Sequence, residues 1–323
     1  MWYGKRVRPW IWIAIGVVIG VAAMIALGDV HQLAKRLGDF HWPAFGAALA
    51  LALANYVIRF VRWELYLRRQ AVSVPRGESA LVFGAGLSLS ITPGKVGELV
   101  KSYLLRALHD IPATRTAPIV VAERVTDVIA LLVLAVAGGA AYGIAATGVL
   151  TAVAVIAGGL VLLAWPRPTR ALIDLVTYPA LVRRFRAPLH TMYDGLAALC
   201  RPAPLAAATA LTLPAWTCEC IGFALIVRAF PGAHIDLGLA IVIYASTTMI
   251  GALSILPGGL GVTEGAMTLW LVHSTVRLDG NTALDAALLT RLATLWFAVV
   301  LGIICLAIAR RRVRARGRDA LRA

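Results

Sequence analysis

Several side chains that can carry charge lie inside apolar stretches of this sequence. Lys95, Glu98 and Lys101 follow a Pro93-Gly94 pair, and Glu264 follows Pro257-Gly258-Gly259-Leu260-Gly261. Glu123, Arg124 and Asp127 fall within one hydrophobic run, Glu219 within another and Arg291 within the last; Arg59, Arg62 and Glu64 stand late in an earlier one. An ionisable residue in a bilayer costs about 2.5–3.5 kcal/mol on insertion scales. So many of them imply work on charge: holding a polar or ionic group, or passing protons. Glu123 and Asp127, four apart, share a helix face, with Arg124 turned about 100° away. Plainer readings stand beside these. Arg59 and Arg62 read equally as topogenic side chains snorkelling to the interface. Glu123 and Asp127 read as ion-pair partners of Arg124 or Arg291, and Glu219 as a hydrogen bonder to a neighbouring helix.

The two Pro-Gly sites supply the elements that position this charge. Proline removes a backbone donor and clashes with the preceding turn, and glycine adopts conformations other residues avoid. A continuous helix is therefore not expected through Thr92–Glu98 or Leu256–Gly261. A helix starting inside a membrane aims unpaired N–H groups and a partial positive charge inward, where phosphate or carboxylate binds. Pro93, Gly94, Gly97, Pro257, Gly258, Gly259 and Gly261 would form two such ends. Lys95 and Arg291 would add positive charge, and Glu98 and Glu264 would balance it, hold a cationic group or carry a proton.

Composition makes the membrane the setting. The chain has 323 residues, 60% hydrophobic and 15% charged, against about 45–50% and about 25% in soluble domains. A water-soluble enzyme is excluded. The net charge of +15, from 31 Lys+Arg against 16 Asp+Glu, would suggest nucleic acid in a soluble protein. Here the basic residues flank apolar spans, which predicts an inner-membrane protein and no nucleic-acid partner. Six runs are long enough to cross, near Pro9–Gly28, Pro43–Leu67, Ala117–Gly139, Ala141–Trp165, Ala203–Phe230 and Ala283–Ala309. The first is expected to be an uncleaved signal anchor. Cys200, Cys218, Cys220 and Cys305 fit no redox or zinc spacing and read as small apolar residues.

The broken segments, Glu78–Arg106 and Leu237–His273, either cross or turn back. If both turn back, the arginine-rich 166–202 connection, the Arg68/Arg69/Arg76 and Arg106/Arg115 loops and the 310–323 tail share one side, as the positive-inside rule favours. The expected fold is thus an all-α polytopic membrane protein. It has six full transmembrane helices and two opposed re-entrant hairpins in one domain spanning 1–323, with both termini cytoplasmic. The 166–202 loop should carry a surface helix near Ile173–Leu181. Pro93-Gly94-x-x-Gly97 recurring as Pro257-Gly258-x-x-Gly261, each followed by a glutamate, suggests an inverted repeat.

Four stretches carry a family likeness: Thr92–Leu105 (TPGKVGELVKSYLL), Glu123-Arg124-x-x-Asp127, Pro257-Gly258-Gly259-Leu260-Gly261-Val262-x-Glu264, and Arg291 with Trp296 and Gly302. Together with Arg62-Trp63 they resemble the lysylphosphatidylglycerol synthase transmembrane-region family, also described as the flippase-domain family. The resemblance implies a bundle with broken helices and, for the best-known members, movement of aminoacylated phospholipid between leaflets. Those members carry a cytosolic domain that attaches the amino acid. This chain, ending in an arginine-rich tail, is expected to be a stand-alone member. Its cargo is left open by that difference, because stand-alone relatives are associated with glycolipid, polyprenyl-linked or hopanoid pathways.

Three functions compete. A lipid translocase would draw a polar or anionic headgroup between the hairpins, with Arg59, Arg62, Glu123, Arg124, Asp127 and Glu219 as its charge or proton network. A membrane glycosyltransferase or other lipid-modifying enzyme would use Glu98 or Glu123 as base. No Asp-x-Asp, His-Glu-x-x-His or complete phosphate-binding loop supports that chemistry. A scaffold would tolerate loss of the charges. No cofactor or metal is expected. The partners expected are a membrane lipid substrate and anionic inner-leaflet lipids, with a homo-oligomer and a separate lipid-synthesis enzyme both compatible with the sequence.

Overall fold

The computed structural model describes residues 36–139, 154, 157–160, 165–179 and 182–319, and among these the chain is helical, with no strand. The expected first span, Pro9–Gly28, and most of Ala141–Trp165 lie outside the described residues. Helix α1 is Trp42–Arg69, α2 Arg76–Leu87, α3 Val100–His109 and α4 Ala113–Gly139. After these come α5 Pro166–Val176, α6 Arg186–Leu199, α7 Pro202–Arg228, α8 Leu237–Leu253, α9 Val262–His273, α10 Gly280–Arg291 and α11 Phe297–Asp319. Among the described residues, three helices are long and apolar enough to cross a membrane: α1, α7 and the continuous rod Gly280–Arg316 formed by α10 and α11. At 27 residues α4 is as long, about 40 Å, but it carries three charged side chains midway.

The helix ends follow local chemistry. Asp236 caps α8 by accepting from the Leu239 N–H, and Asp279 caps α10 by accepting from Asn281 and Thr282. Pro43 and Pro202 stand in the first turns of α1 and α7, where no donor is lost. Between α10 and α11 the rod widens into a π turn over Leu292–Trp296. The Thr294 carbonyl there accepts from the Tyr56 hydroxyl at 2.6 Å.

Both Pro-Gly segments break. α2 ends at Leu87, and regular helix resumes only at Val100, after a 3₁₀ turn over Pro93–Leu99 in which Gly94 (φ 57°) and Lys95 (φ 54°) are left-handed. α8 ends at Leu253 and α9 starts at Val262, with Gly258 (φ 61°) left-handed between them. Each break is thus longer than a single proline at a helix start would make it. α2 packs on α3, α8 packs on α9, and the two turns touch one another.

Two apolar cores result, one for each broken segment. Phe223, Ile226, Ile243 and Met267 centre the first, built on α7 to α10. Trp63, Tyr66, Leu104 and Ile119 centre the second, built on α1 to α4 with α11. α1 and α7 lie antiparallel: Ala48 abuts Gly222, and the Asn55 amide donates to the Ala215 carbonyl at 2.7 Å. α11 crosses α2 at Gly302, where any Cβ would collide with the backbone of Leu87 and Ser88. The outward faces are apolar. Leu53, Val57 and Val61 make one exposed stripe on α1, and Val300, Ile304 and Ile308 another on α11. Charged groups inside and aliphatic stripes outside mark a protein solvated by lipid.

Polar contacts gather at the periphery. Glu78, at the foot of α2, bonds His109 at 2.7 Å and lies 3.7 Å from Arg312, while Asp110 pairs with Arg316 at 2.5 Å. The surface helix begins and ends earlier than expected, at Pro166 and Val176; the Thr177 hydroxyl bonds back to the Ile173 carbonyl there. It docks on α6 through Asp174, which receives Arg186 and faces His190, each at 2.7 Å. Those two bonds hold the Asp174 carboxyl down at about 2. Leu175, Val176 and Tyr178 stay exposed.

Candidate functional site

Helical spacing gathers charge around the first Pro-Gly turn. Arg59 and Arg62 lie three apart on α1, Glu98 and Lys101 three apart across the turn, Arg124 and Asp127 three apart on α4, and Trp216 and Glu219 three apart on α7. Each pair therefore shares one face of its helix. Asp127 is the hub. Its Oδ1 lies 2.7 Å from Arg62 Nη1 and 3.4 Å from the Trp216 indole N–H; its Oδ2 lies 3.2 Å from Arg124 and 4.0 Å from Arg59. Arg62 is fully buried and also donates to the Thr126 and Thr212 hydroxyls, at 3.0 and 2.8 Å.

A second knot lies beside the first. Lys101 pairs with Glu123, and lies 3.3 Å from Glu98 and 4.7 Å from the Trp63 ring centroid. Glu98 receives Arg124 at 3.3 Å, which links the two knots. The topogenic reading of Arg59 and Arg62 is thereby corrected. Both side chains are buried and turned to Asp127, because a carboxylate within reach outweighs snorkelling.

This cluster holds five cations, Arg59, Arg62, Lys95, Lys101 and Arg124, against three carboxylates, Glu98, Glu123 and Asp127. Two cations are poorly matched. Lys95 Nζ lies 5.8 Å from the Trp216 ring centroid and has no ion pair among the described residues. Among the described residues Arg59 has no carboxylate oxygen nearer than 4.0 Å, and its Nε lacks a hydrogen-bond partner there, as do Arg62 Nε and Nη2 and Arg124 Nε. Buried donors without acceptors are expensive, and an anion would satisfy them. The left-handed backbone at Lys95 also costs about 1–2 kcal/mol for a residue with a Cβ.

The second turn is closed on itself. Arg291 Nε bonds Glu264 Oε1 at 2.7 Å, and its Nη2 donates to the Gly258 carbonyl. Glu264 Oε2 accepts from the Gly261 N–H at 2.7 Å. Glycine is required at position 258: φ is positive, and an added Cβ would lie 3.2 Å from Ile91 of the first turn. Glu219 stands apart from both arrangements, accepting from the Tyr244 hydroxyl at 2.5 Å.

All the predicted residues thus lie around two touching turns, but in two separate bonding sets, with Glu219 in neither. Sequence reading assigned no role to Thr126, Thr212, Trp216 or Tyr244, and noted Lys101 without making it the bridge it is. Lys101 could have been paired with Glu98 from its spacing, and Trp216 placed on the face of Glu219. Tyr244, on a mostly apolar helix whose Ser246 and Thr247 hydroxyls bond their own backbone, offered no signal. Among the described residues, no three His, Cys, Asp or Glu side chains converge as metal ligands.

Residues 11–302 match the lysylphosphatidylglycerol synthase TM region. The chain is similar to a UPF0104 membrane protein of Methanothermobacter thermautotrophicus, 25% identical over 323 residues, covering 90% of this chain and 93% of that protein. A further UPF0104 membrane protein of the same organism is 34% identical over 95 residues, 29% of this chain and 27% of its own. Glycosyltransferase AglD of Haloferax volcanii is 26% identical over 163 residues, covering 48% of this chain but only 26% of AglD.

Proposed function

Because the chain belongs to the lysylphosphatidylglycerol synthase TM-region family, we propose that it is a lipid translocase, moving a polar or anionic headgroup between leaflets while the acyl chains stay in the bilayer. The observation that carries this is the cationic excess at the first turn, where half-buried Lys95 and buried Arg59 lack a closely bonded carboxylate among the described residues. A buried charge imbalance without a ligand is costly, and a phosphate among Lys95, Arg59 and Arg124 would relieve it. Arg62, Lys101, Glu98, Glu123 and Asp127 hold the three cations in place. Pro93, Gly94 and Gly97 shape the turn. Glu264 and Arg291, with Pro257, Gly258, Gly259 and Gly261, brace the facing turn.

In this reading the two turns are the tips of re-entrant hairpins from opposite leaflets, within six full spans and an inverted repeat. The protein lies in the inner membrane with both termini cytoplasmic. The touching turns and the paired cores support that geometry. The basic 166–202 loop and the 310–323 tail lie against anionic inner-leaflet lipids, and a separate enzyme makes the cargo. The test is Lys95→Ala in reconstituted vesicles with a fluorescent short-chain anionic phospholipid. Headgroup movement should stop while the melting temperature holds; unchanged movement rejects the role of Lys95.

The match to AglD favours a second reading, sugar transfer to a lipid. Glu98 and Glu123, its bases, are both engaged by Lys101, so neither carboxylate is free to take a substrate proton without breaking that contact. Product formed from a polyprenyl lipid and a sugar donor by purified protein would select this reading over transport.

A further inference from the structure

Five carboxylates lie deep in the helix bundle around the two turns. Glu98, Glu123, Asp127 and Glu264 each have a Lys or Arg nitrogen within 3.3 Å. Glu219 does not. It is 7% exposed, and its one hydrogen-bond partner among the described residues is a neutral hydroxyl, that of Tyr244, itself buried. An anionic carboxylate so placed has neither water nor a counter-ion, whereas a protonated one asks for neither.

The groups facing it come from every helix around it. Tyr56 and Arg59 approach from α1, Tyr244 from α8, Lys95 from the first turn and Arg291 from the end of α10. Cys218 and Cys220 flank it on α7, and Trp216, one turn away, touches both Lys95 and Asp127. The cations among these act on Glu219 across space and not through a bond. They include Lys95 and Arg59, two of the three that the translocase reading assigns to the headgroup.

We propose that Glu219, held by Tyr244, is a proton-binding site coupled to that headgroup site. The inference rests on the translocase reading and supplies its missing coupling ion. The sign follows from electrostatics alone. A phosphate arriving at Lys95 and Arg59 offsets the positive charge those two cations exert on Glu219, so it raises the affinity of Glu219 for a proton. Linkage is reciprocal: protonated Glu219 binds the anionic lipid more tightly. At a pH where Glu219 is ionised before binding, each headgroup bound takes up a proton onto its carboxylate, and each release returns it to water. A proton gradient would then drive the lipid.

The test uses purified full-length protein in detergent, titrated with short-chain phosphatidylglycerol, with phosphatidylcholine as the neutral comparison. Affinity and proton uptake are read together, the latter with an indicator dye in weak buffer. Wild-type affinity for the anionic lipid should fall as pH rises, by up to about tenfold per pH unit for one coupled proton, with uptake on binding. Glu219→Gln keeps an acceptor for Tyr244 and should bind as tightly as wild type at low pH, with a flat profile and no uptake. Wild-type binding that is tight but independent of pH, or a slope retained in Glu219→Gln, overturns the coupling and leaves the translocase reading standing. Failure to bind anionic lipid at any pH, in protein of unchanged melting temperature, overturns both.

Discussion

At the turn after Leu256, charge comes as one pair. Glu264 and Arg291 bond each other and then the turn's own backbone, through the Gly261 N–H and the Gly258 carbonyl. At the turn after Thr92, five cations share three carboxylates, and Lys95 occupies a left-handed position whose counterpart in the other turn, Gly259, is also left-handed but has no side chain. Similar backbone breaks thus serve different ends. A neutral pair that satisfies backbone groups is a brace, and a cationic cluster with unused donors is a place for something else. Recurrence of a motif fixes a shape and says little about which copy binds.

Asp127→Ala should have the largest effect. It strips the hub from Arg62, Arg124 and Arg59, and leaving buried charge unpaired costs about 3–5 kcal/mol, read as a large fall in melting temperature in detergent. A loss below about 1 kcal/mol would mean that water already screens this cluster. The brace should behave otherwise. Replacing both its members, Glu264→Leu with Arg291→Met, should change stability by no more than about 1–2 kcal/mol, since apolar substitutes for a buried pair are often neutral, and vesicles should retain some transport. Complete loss of transport in the folded double variant would erase the distinction between the turns.

Lys95→Gly sharpens it. Relief of left-handed strain should stabilise the fold by up to about 1 kcal/mol while headgroup movement is lost, so melting temperature and flux move in opposite directions. The smallest effect lies far from both turns. Asp174 titrates at about 2 when docked to Arg186 and His190, against about 3.9 when free. Its contribution is complete above about pH 4 and lost as pH falls through about 2. Limited proteolysis at Arg183 and Arg184 should quicken over that range in wild type, and in Asp174→Asn already at neutral pH.

Hydrophobic run length and Pro-Gly punctuation made most helices legible: Pro43–Leu67 became Trp42–Arg69, and Leu237–His273 broke around its one proline, Pro257. Membrane length and backbone donor loss are local properties, so the sequence shows them directly. Pairing is not local. Arg62 meets Asp127 across 65 positions, and Arg291 meets Glu264 across 27. Single-chain spacing offered Arg124 or Arg291 as the partner of Asp127, and left Arg59 and Arg62 readable as interface anchors. The apolar α8 hid Tyr244 entirely, because a hydroxyl among aliphatic residues carries no period. The left-handed Lys95 was equally hidden, since nothing in Gly94-Lys95 says that the strain is borne by the lysine.

The rod Gly280–Arg316 has a mechanical implication. Its 37 residues make a shaft about 55 Å long, gripping one turn through Arg291 and the feet of the opposite broken segment through Arg312 and Arg316. The two halves are therefore geared together. Rocking of either would be felt at the far end of the shaft, and its π turn, pinned by Tyr56, is where such torque would be absorbed.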